Sequence, residues 1–266
     1  MINNQTKYYN CCECKNNKKI KIFTYNKPPK YEQNFSIKGV YKREYLQCNK
    51  CQHMFNRYYM KWGANVYNSE YFKVNYINYK TLKKKFDLIN ALPVSKSDNK
   101  NRVNRVIKFC KKKDVLDIGS GTGVFLYQMK KKGWNVNGIE VDKRFANFSN
   151  IFKLNVVKKN ILNCKFIKKF DLITFNKVLE HVVAPIKVLK ASKKFLKKDG
   201  IIYIELPSVK AKRYGKNRSE FCIDHFQVFS KKSIKFLINK CGFKEIKIKE
   251  IKEPSGKLSI YCFAKI

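Results

Sequence analysis

Three sets of residues in this chain have the types and spacing to do chemistry. The first is Asp117-Ile118-Gly119-Ser120-Gly121-Thr122-Gly123, where three glycines within five residues let the backbone turn sharply and approach a ligand. It is a turn of the nucleotide-binding kind, yet two common versions do not fit. A phosphate-cradling loop needs Gly-Lys-Ser/Thr where Gly123-Val124-Phe125 stands, and the dinucleotide fingerprint places its third glycine one residue later. Glu140, 23 residues after Asp117, adds a carboxylate that could accept both hydroxyls of a ribose. The second set is two Cys-x-x-Cys hooks, Cys11 with Cys14 and Cys48 with Cys51, separated by 33 residues. Four thiolates so placed could close a tetrahedral shell around Zn²⁺ with no open position, which makes a structural site. Cys12 is spare, and His53 could substitute as a ligand but reads as an ordinary strand residue. The third set is histidine, the side chain best suited to take a proton near neutral pH, of which there are only three: His53, His181 and His225.

These residues need elements to hold them. Val115, Leu116 and Ile118 read as a strand buried on both faces, and Val124 to Lys132 as a helix closed by Gly133. A second strand, Asn135 to Val141, ends at Glu140, with Asp142 as a competing acid; a faint third lies at Val156 to Ile161. The fourth, Phe170 to Asn176, leads directly to Glu180-His181. A helix from Pro185 to Leu196, the stretch Lys197 to Gly200 and a strand from Ile201 to Pro207 follow. A loop carrying Asp224-His225 then precedes a helix capped by Ser230 and ended by Gly242, and Phe243 to Glu250 and Leu258 to Ala264 read as two strands. In such sheets ligands sit beyond the carboxyl ends of the strands, where Glu140 and His181 fall. Upstream, residues 1–60 read as a zinc ribbon and 61–98 as a connecting helical segment with Tyr79, Leu82, Phe86 and Ile89 at helical spacing. That segment closes on a polar linker, Pro93 to Asn101; a helix from Asn101 to Lys111 then opens the core of residues 99–266.

The pattern Asp117-x-Gly119-x-Gly121-x-Gly123 resembles motif I of the class I S-adenosylmethionine-dependent methyltransferases. Phe170 to Val182, with the helix, the Lys197 to Gly200 stretch and the strand that follow, is similar to those enzymes of the small-molecule and sugar-modifying type. With the ribbon, the chain resembles methyltransferases of surface-polysaccharide and modified-sugar biosynthesis. The resemblance covers about residues 100–266, with the ribbon covering most of the rest. It implies an α/β, Rossmann-like seven-stranded mixed sheet with helices on both faces, plus a small N-terminal zinc-ribbon subdomain. It also implies S-adenosylmethionine held by Asp117, Gly119, Ser120, Gly121, Gly123, Glu140, Asn160 and Asn176, and structural Zn²⁺ held by Cys11, Cys14, Cys48 and Cys51. Asn160 stands where the family usually has an Asp contacting the adenine amino group, and its amide oxygen can still accept that bond. Gln52 replaces a glycine that often follows the ribbon's fourth cysteine. For a sugar hydroxyl or carbon acid to be methylated a base must take its proton, and the Glu-His pair makes His181 the first candidate and His225 the second. The function expected is methyl transfer to a small molecule, a sugar or glycan precursor. The alternative is an RNA or protein methyltransferase that uses the ribbon and a basic surface.

Net charge is +40, from 59 basic and 19 acidic residues. Of the basic residues 52 are Lys and 7 are Arg, and Asn occurs 27 times, so the surplus reads as a compositional drift and a solvated basic surface is favoured over a nucleic-acid groove. No apolar run approaches the roughly 18 residues of a membrane span, and the first residues lack the core of a signal peptide. The expectation is a cytoplasmic protein, with which paired and scattered cysteines agree.

Overall fold

The computed structural model describes residues 18–30, 32, 37–62, 78–111, 113–165 and 168–266. The described residues begin with strands β1 (Lys19–Tyr25), β2 (Ile37–Lys38), β3 (Arg43–Cys48), β4 (Met54–Tyr58) and β5 (Lys61–Trp62), then helices α1 (Tyr79–Ala91) and α2 (Asp98–Phe109). Alternation follows: β6 (Asp114–Ile118), α3 (Val124–Lys131), β7 (Asn135–Glu140), α4 (Lys143–Ile151), β8 (Val156–Lys158), β9 (Phe170–Asn176), α5 (Pro185–Lys193) and β10 (Leu196–Pro207). The chain closes with β11 (Gln227–Val228), α6 (Lys231–Lys240), β12 (Lys244–Lys252) and β13 (Leu258–Lys265).

Seven strands form the main sheet in the order β12-β13-β10-β9-β6-β7-β8. β6 to β10 run parallel, while β13 runs against both β10 and β12, giving the mixed sheet expected and a terminal hairpin. Side chains along each strand alternate between two apolar layers, as the pleat requires. Leu116, Ile118, Ile173, Phe175, Ile202 and Ile204 face α5 and α6. Val115, Val136, Leu172 and Tyr203 face α2 and α3. Helix α1 packs Leu82 and Phe86 on Phe145 and Phe148 of α4, with the Phe86 and Phe152 rings stacked at 4.4 Å. The chain moves outward through β7 and β8, then returns to lay β9 on the other side of β6. A crevice opens between the carboxyl ends of β6 and β9, where strand order reverses.

Two local expectations change. The polar stretch Pro93 to Asn101 is not a linker to its end: Ser97 accepts from the Lys100 N–H, and α2 begins at Asp98. The strand expected from Ile201 begins at Leu196, so that Lys197 to Gly200 lie within the long β10, whose register against β9 slips between Leu196 and Ile201. Among the described residues no helix is long and apolar enough to cross a membrane.

A second sheet has the order β1-β3-β4-β11. Its first three strands come from the N-terminal region, but β11 comes from the loop after β10 and pairs Gln227 with Phe55 and Val228 with Met54. Cys48 and Cys51 are fully buried at the turn between β3 and β4, whereas Cys11 and Cys14 lie outside the described residues. Gln52 takes the left-handed φ of 61° that a glycine would adopt without strain, and its carbonyl accepts from Gln47 Nε2 at 2.9 Å. Gln52→Gly is expected to stabilise the fold by about 1 kcal/mol, read as a higher urea midpoint; a lower one would show that the Gln side chain matters more than the strain.

Candidate active site

The glycine turn is fastened from both sides. Its Gly119 and Ser120 N–H groups donate to the Ile139 carbonyl at 2.8 and 3.1 Å, tying the turn to β7. Glu140, at the end of β7, is buried, and its carboxylate accepts from the N–H groups of Gly121 at 2.8 Å, Val141 at 2.8 Å and Asp142 at 3.0 Å. Burial raises its pKa and these bonds oppose the rise. Asp142 is spent elsewhere, capping α4 through the Arg144 N–H at 2.8 Å and pairing with the Arg144 guanidinium. Gly123 has φ 77°, and a Cβ there would lie 2.6 Å from Leu154; a Cβ on Gly121, also at positive φ, would meet open space. The turn is therefore packed behind and open in front.

Asp117, on β6, accepts at one oxygen from Thr174 Oγ1 at 2.6 Å and Asn176 Nδ2 at 2.8 Å, both on β9. Burial pushes its pKa up to about 7. Among the described residues Asn176 Oδ1 and Ser120 Oγ are buried without a hydrogen-bond partner; Ser120 Oγ lies on the packed side, close to Gly138, and Asn176 Oδ1 belongs to the amide whose nitrogen holds Asp117. Asn160 is exposed just beyond β8, where its Oδ1 accepts from the Leu162 N–H at 3.0 Å and retains a second lone pair. These donors and acceptors fit an adenosyl amino acid: a carboxylate for ribose hydroxyls, an amide oxygen for an ammonium and open space over the glycines.

The histidines lie on the neighbouring loop. A Cβ on Gly119 would come within 2.8 Å of Val178, so the segment leading to Glu180-His181 rests on the glycine turn itself. The His181 and His225 rings meet edge to face at 4.7 Å. His181 Nδ1 lies 2.9 Å from the Asp224 carbonyl and 3.4 Å from its carboxylate, and His225 Nδ1 lies 2.9 Å from the Glu220 carbonyl. Glu180 is fully buried beside them, and burial raises its pKa.

Sequence reasoning missed how the N-terminal sheet holds this loop. Tyr45 Oη donates to the carbonyls of His225 at 2.8 Å and Cys222 at 3.1 Å, Tyr58 Oη donates to Ile223, and Asn56 Nδ2 reaches His225 at 3.3 Å. Arg43, fully buried, donates to the Phe221 carbonyl at 3.0 Å. His53, read as an ordinary strand residue, is buried and meets Gln227 at 3.1 Å, and Gln227 in turn donates to the Leu179 and Val182 carbonyls on either side of Glu180-His181. The partners are far apart in the chain, so no spacing rule could reveal them.

Two outcomes follow from this geometry. Between pH 3.8, the ordinary carboxylate value, and about 7, only the folded state keeps the Asp117 proton. The cofactor-free protein should therefore lose stability relative to Asp117→Asn as pH rises through that window, by up to about 1.4 kcal/mol per unit, and no further above it; parallel urea midpoints across the window would refute the burial argument. Tyr45→Phe should speed amide exchange across residues 219–228 by about ten-fold, and unchanged exchange there would show that the clamp is idle.

A methyltransferase domain family matches residues 95–248, more than half of the chain. Over 114 residues the chain is 31% identical to a ubiquinone biosynthesis O-methyltransferase of Actinobacillus pleuropneumoniae, a stretch that is 38% of this chain and 49% of that protein. The chain spans about half the length of the curated relatives it matches. In fold it is similar to a SAM-dependent methyltransferase of Archaeoglobus fulgidus, at TM-score 0.55 and 22% identity over 71% of this chain and 99% of that one. It is likewise similar to one of Thermotoga maritima, at TM-score 0.55 and 19% identity over 69% and 93%. With the strand order, the open glycine turn and the acid that holds it in place, the family match over residues 95–248 shows that the chain belongs to the class I S-adenosylmethionine-dependent methyltransferases.

Proposed function

We propose that the protein transfers a methyl group from S-adenosylmethionine to a hydroxyl of a small polar acceptor, a sugar or glycan precursor. The observation that carries this reading is the contact of Gly119 with Val178, which sets the cofactor turn against the loop bearing Glu180 and His181. When bound, the cofactor supplies an electrophilic methyl carbon on a sulfonium. What remains for the protein is alignment, exclusion of water and removal of a proton. Glu140 would hold the ribose hydroxyls, Asn176 Oδ1 the ammonium and Asn160 the adenine amino group. Transfer would join the acceptor oxygen to the methyl carbon as the carbon–sulfur bond breaks to a neutral thioether, and the Glu180, His181 and His225 cluster would take the hydroxyl proton. That cluster, with Asp224 and the Tyr45 and Asn56 side chains nearby, is polar, which suits a polyhydroxylated acceptor. The names of the matched relatives support oxygen as the methylated atom.

The N-terminal segment completes this reading as a zinc ribbon closed by Cys11, Cys14, Cys48 and Cys51, supported by the full burial of Cys48 and Cys51 at one turn.

Incubation with labelled S-adenosylmethionine and a panel of nucleotide sugars and phenols should label a sugar. Asp117→Ala and Gly121→Val should weaken cofactor binding about 100-fold in calorimetry, and His181→Ala should lower kcat about 100-fold or more with cofactor affinity kept. Micromolar binding in both turn variants would refute the site, labelling of a phenol alone would refute the acceptor class, and a purified protein without zinc would refute the ribbon.

A further inference from the structure

We propose that Glu180, His181 and His225 form a binding site for a divalent transition-metal cation, set where the acceptor oxygen meets the cofactor turn. One ligand atom from each residue lies within 4.8 Å of the other two. Glu180 is fully buried, and among the described residues no other residue gives either carboxylate oxygen a hydrogen bond. A carboxylate placed so is costly unless a cation or proton answers it. Each imidazole has its Nδ1 against a backbone carbonyl. A nitrogen facing a carbonyl must carry the hydrogen, so His181 donates Nδ1–H to Asp224 and His225 donates Nδ1–H to Glu220, each at 2.9 Å, and in each ring Nε2 carries the lone pair.

The scaffold behind these donors is braced. Phe226 N–H donates to the Glu180 carbonyl at 2.8 Å, and Gln227 holds the carbonyls of Leu179 and Val182. A cation bound about 2.1 Å from each donor would bring the three to about 3.4 Å apart, so the cluster closes by roughly an ångström on binding. Two imidazoles and one carboxylate leave coordination positions open, unlike the four thiolates of a ribbon. With the ion bound, His181 would serve as a ligand in place of a base, and an acceptor hydroxyl in an open position would be oriented and made more acidic, its proton passing to water. The inference rests on the methyl-transfer reading for its role, but the site itself stands on the cluster.

Mn²⁺ separates this site from the cysteines, because thiolates do not favour it. Titration of Mn²⁺ into the full chain, read from the paramagnetic resonance of the free ion without methyl donor or acceptor, should show one bound ion. Glu180→Gln and His225→Ala should each weaken it about 100-fold while keeping the circular dichroism and cofactor binding of the wild type. No bound Mn²⁺ in the wild type, or wild-type affinity in both variants, would overturn the site. Methyl transfer that continues unchanged in chelator would overturn its role and leave the activity standing, whereas Mn²⁺ binding without any methyl transfer would overturn the activity alone.

Discussion

The hydrogen bond from the Gly121 N–H to Glu140 is the interaction around which the cofactor side of the molecule is arranged. A turn with three glycines at positive φ is held by little intrinsic preference, because glycine gives up more freedom on ordering than any other residue. Glu140 supplies the restraint from outside the turn. It gathers three backbone N–H groups from two segments, fixing the end of β7 against the residues that follow β6. Burying a carboxylate opposes its charge, and three aligned donors offset that cost. The acid is thus pre-oriented, and the face of Gly121 stays open.

The acceptor side is built by a different rule. The loop from Ser219 to Phe226 contains little regular structure, so its carbonyls need partners outside it. The N-terminal sheet provides them: Arg43, Tyr45, Asn56 and Tyr58 all donate to carbonyls between Phe221 and His225. Arg43 is itself held by the Glu32 carboxylate and by the Tyr25 ring, 3.8 Å from its guanidinium carbon. The N-terminal strands therefore shape the loop that carries Asp224 and His225 and, through His53 and Gln227, brace the loop that carries Glu180 and His181.

Charge distribution separates composition from chemistry. The chain has 19 acidic residues against 59 basic ones, yet Asp117, Glu140, Glu180, Glu205 and Asp224 are all buried. Glu205 shows the same economy: Arg102 and Arg105 grip its two oxygens at 2.5 and 2.7 Å, and they hold its pKa well below the carboxylate range. Most lysines of α1, α6 and β12 are exposed, spread over several faces. The basic surplus coats the surface, while the scarce acids organise the interior.

Local signals were enough to place the strands of the parallel sheet, the glycine turn, the Ser230 cap and the acid at the end of the second strand, because each depends on neighbours in sequence: apolar alternation, missing Cβ atoms and a hydroxyl three residues from an N–H. They also singled out His181 and His225 as the histidines worth attention. Only the folded chain decided that those two rings touch, that the buried Glu180 carboxylate lies within reach of both, and that strands from the start of the chain take β11 as their fourth member. Those contacts join segments more than a hundred residues apart, or set one loop against another, and a hydrogen bond to a backbone carbonyl asks nothing of the side chain that owns it. Such a carbonyl leaves no mark in the residue types, so its partner becomes visible only once tertiary packing has brought the two together.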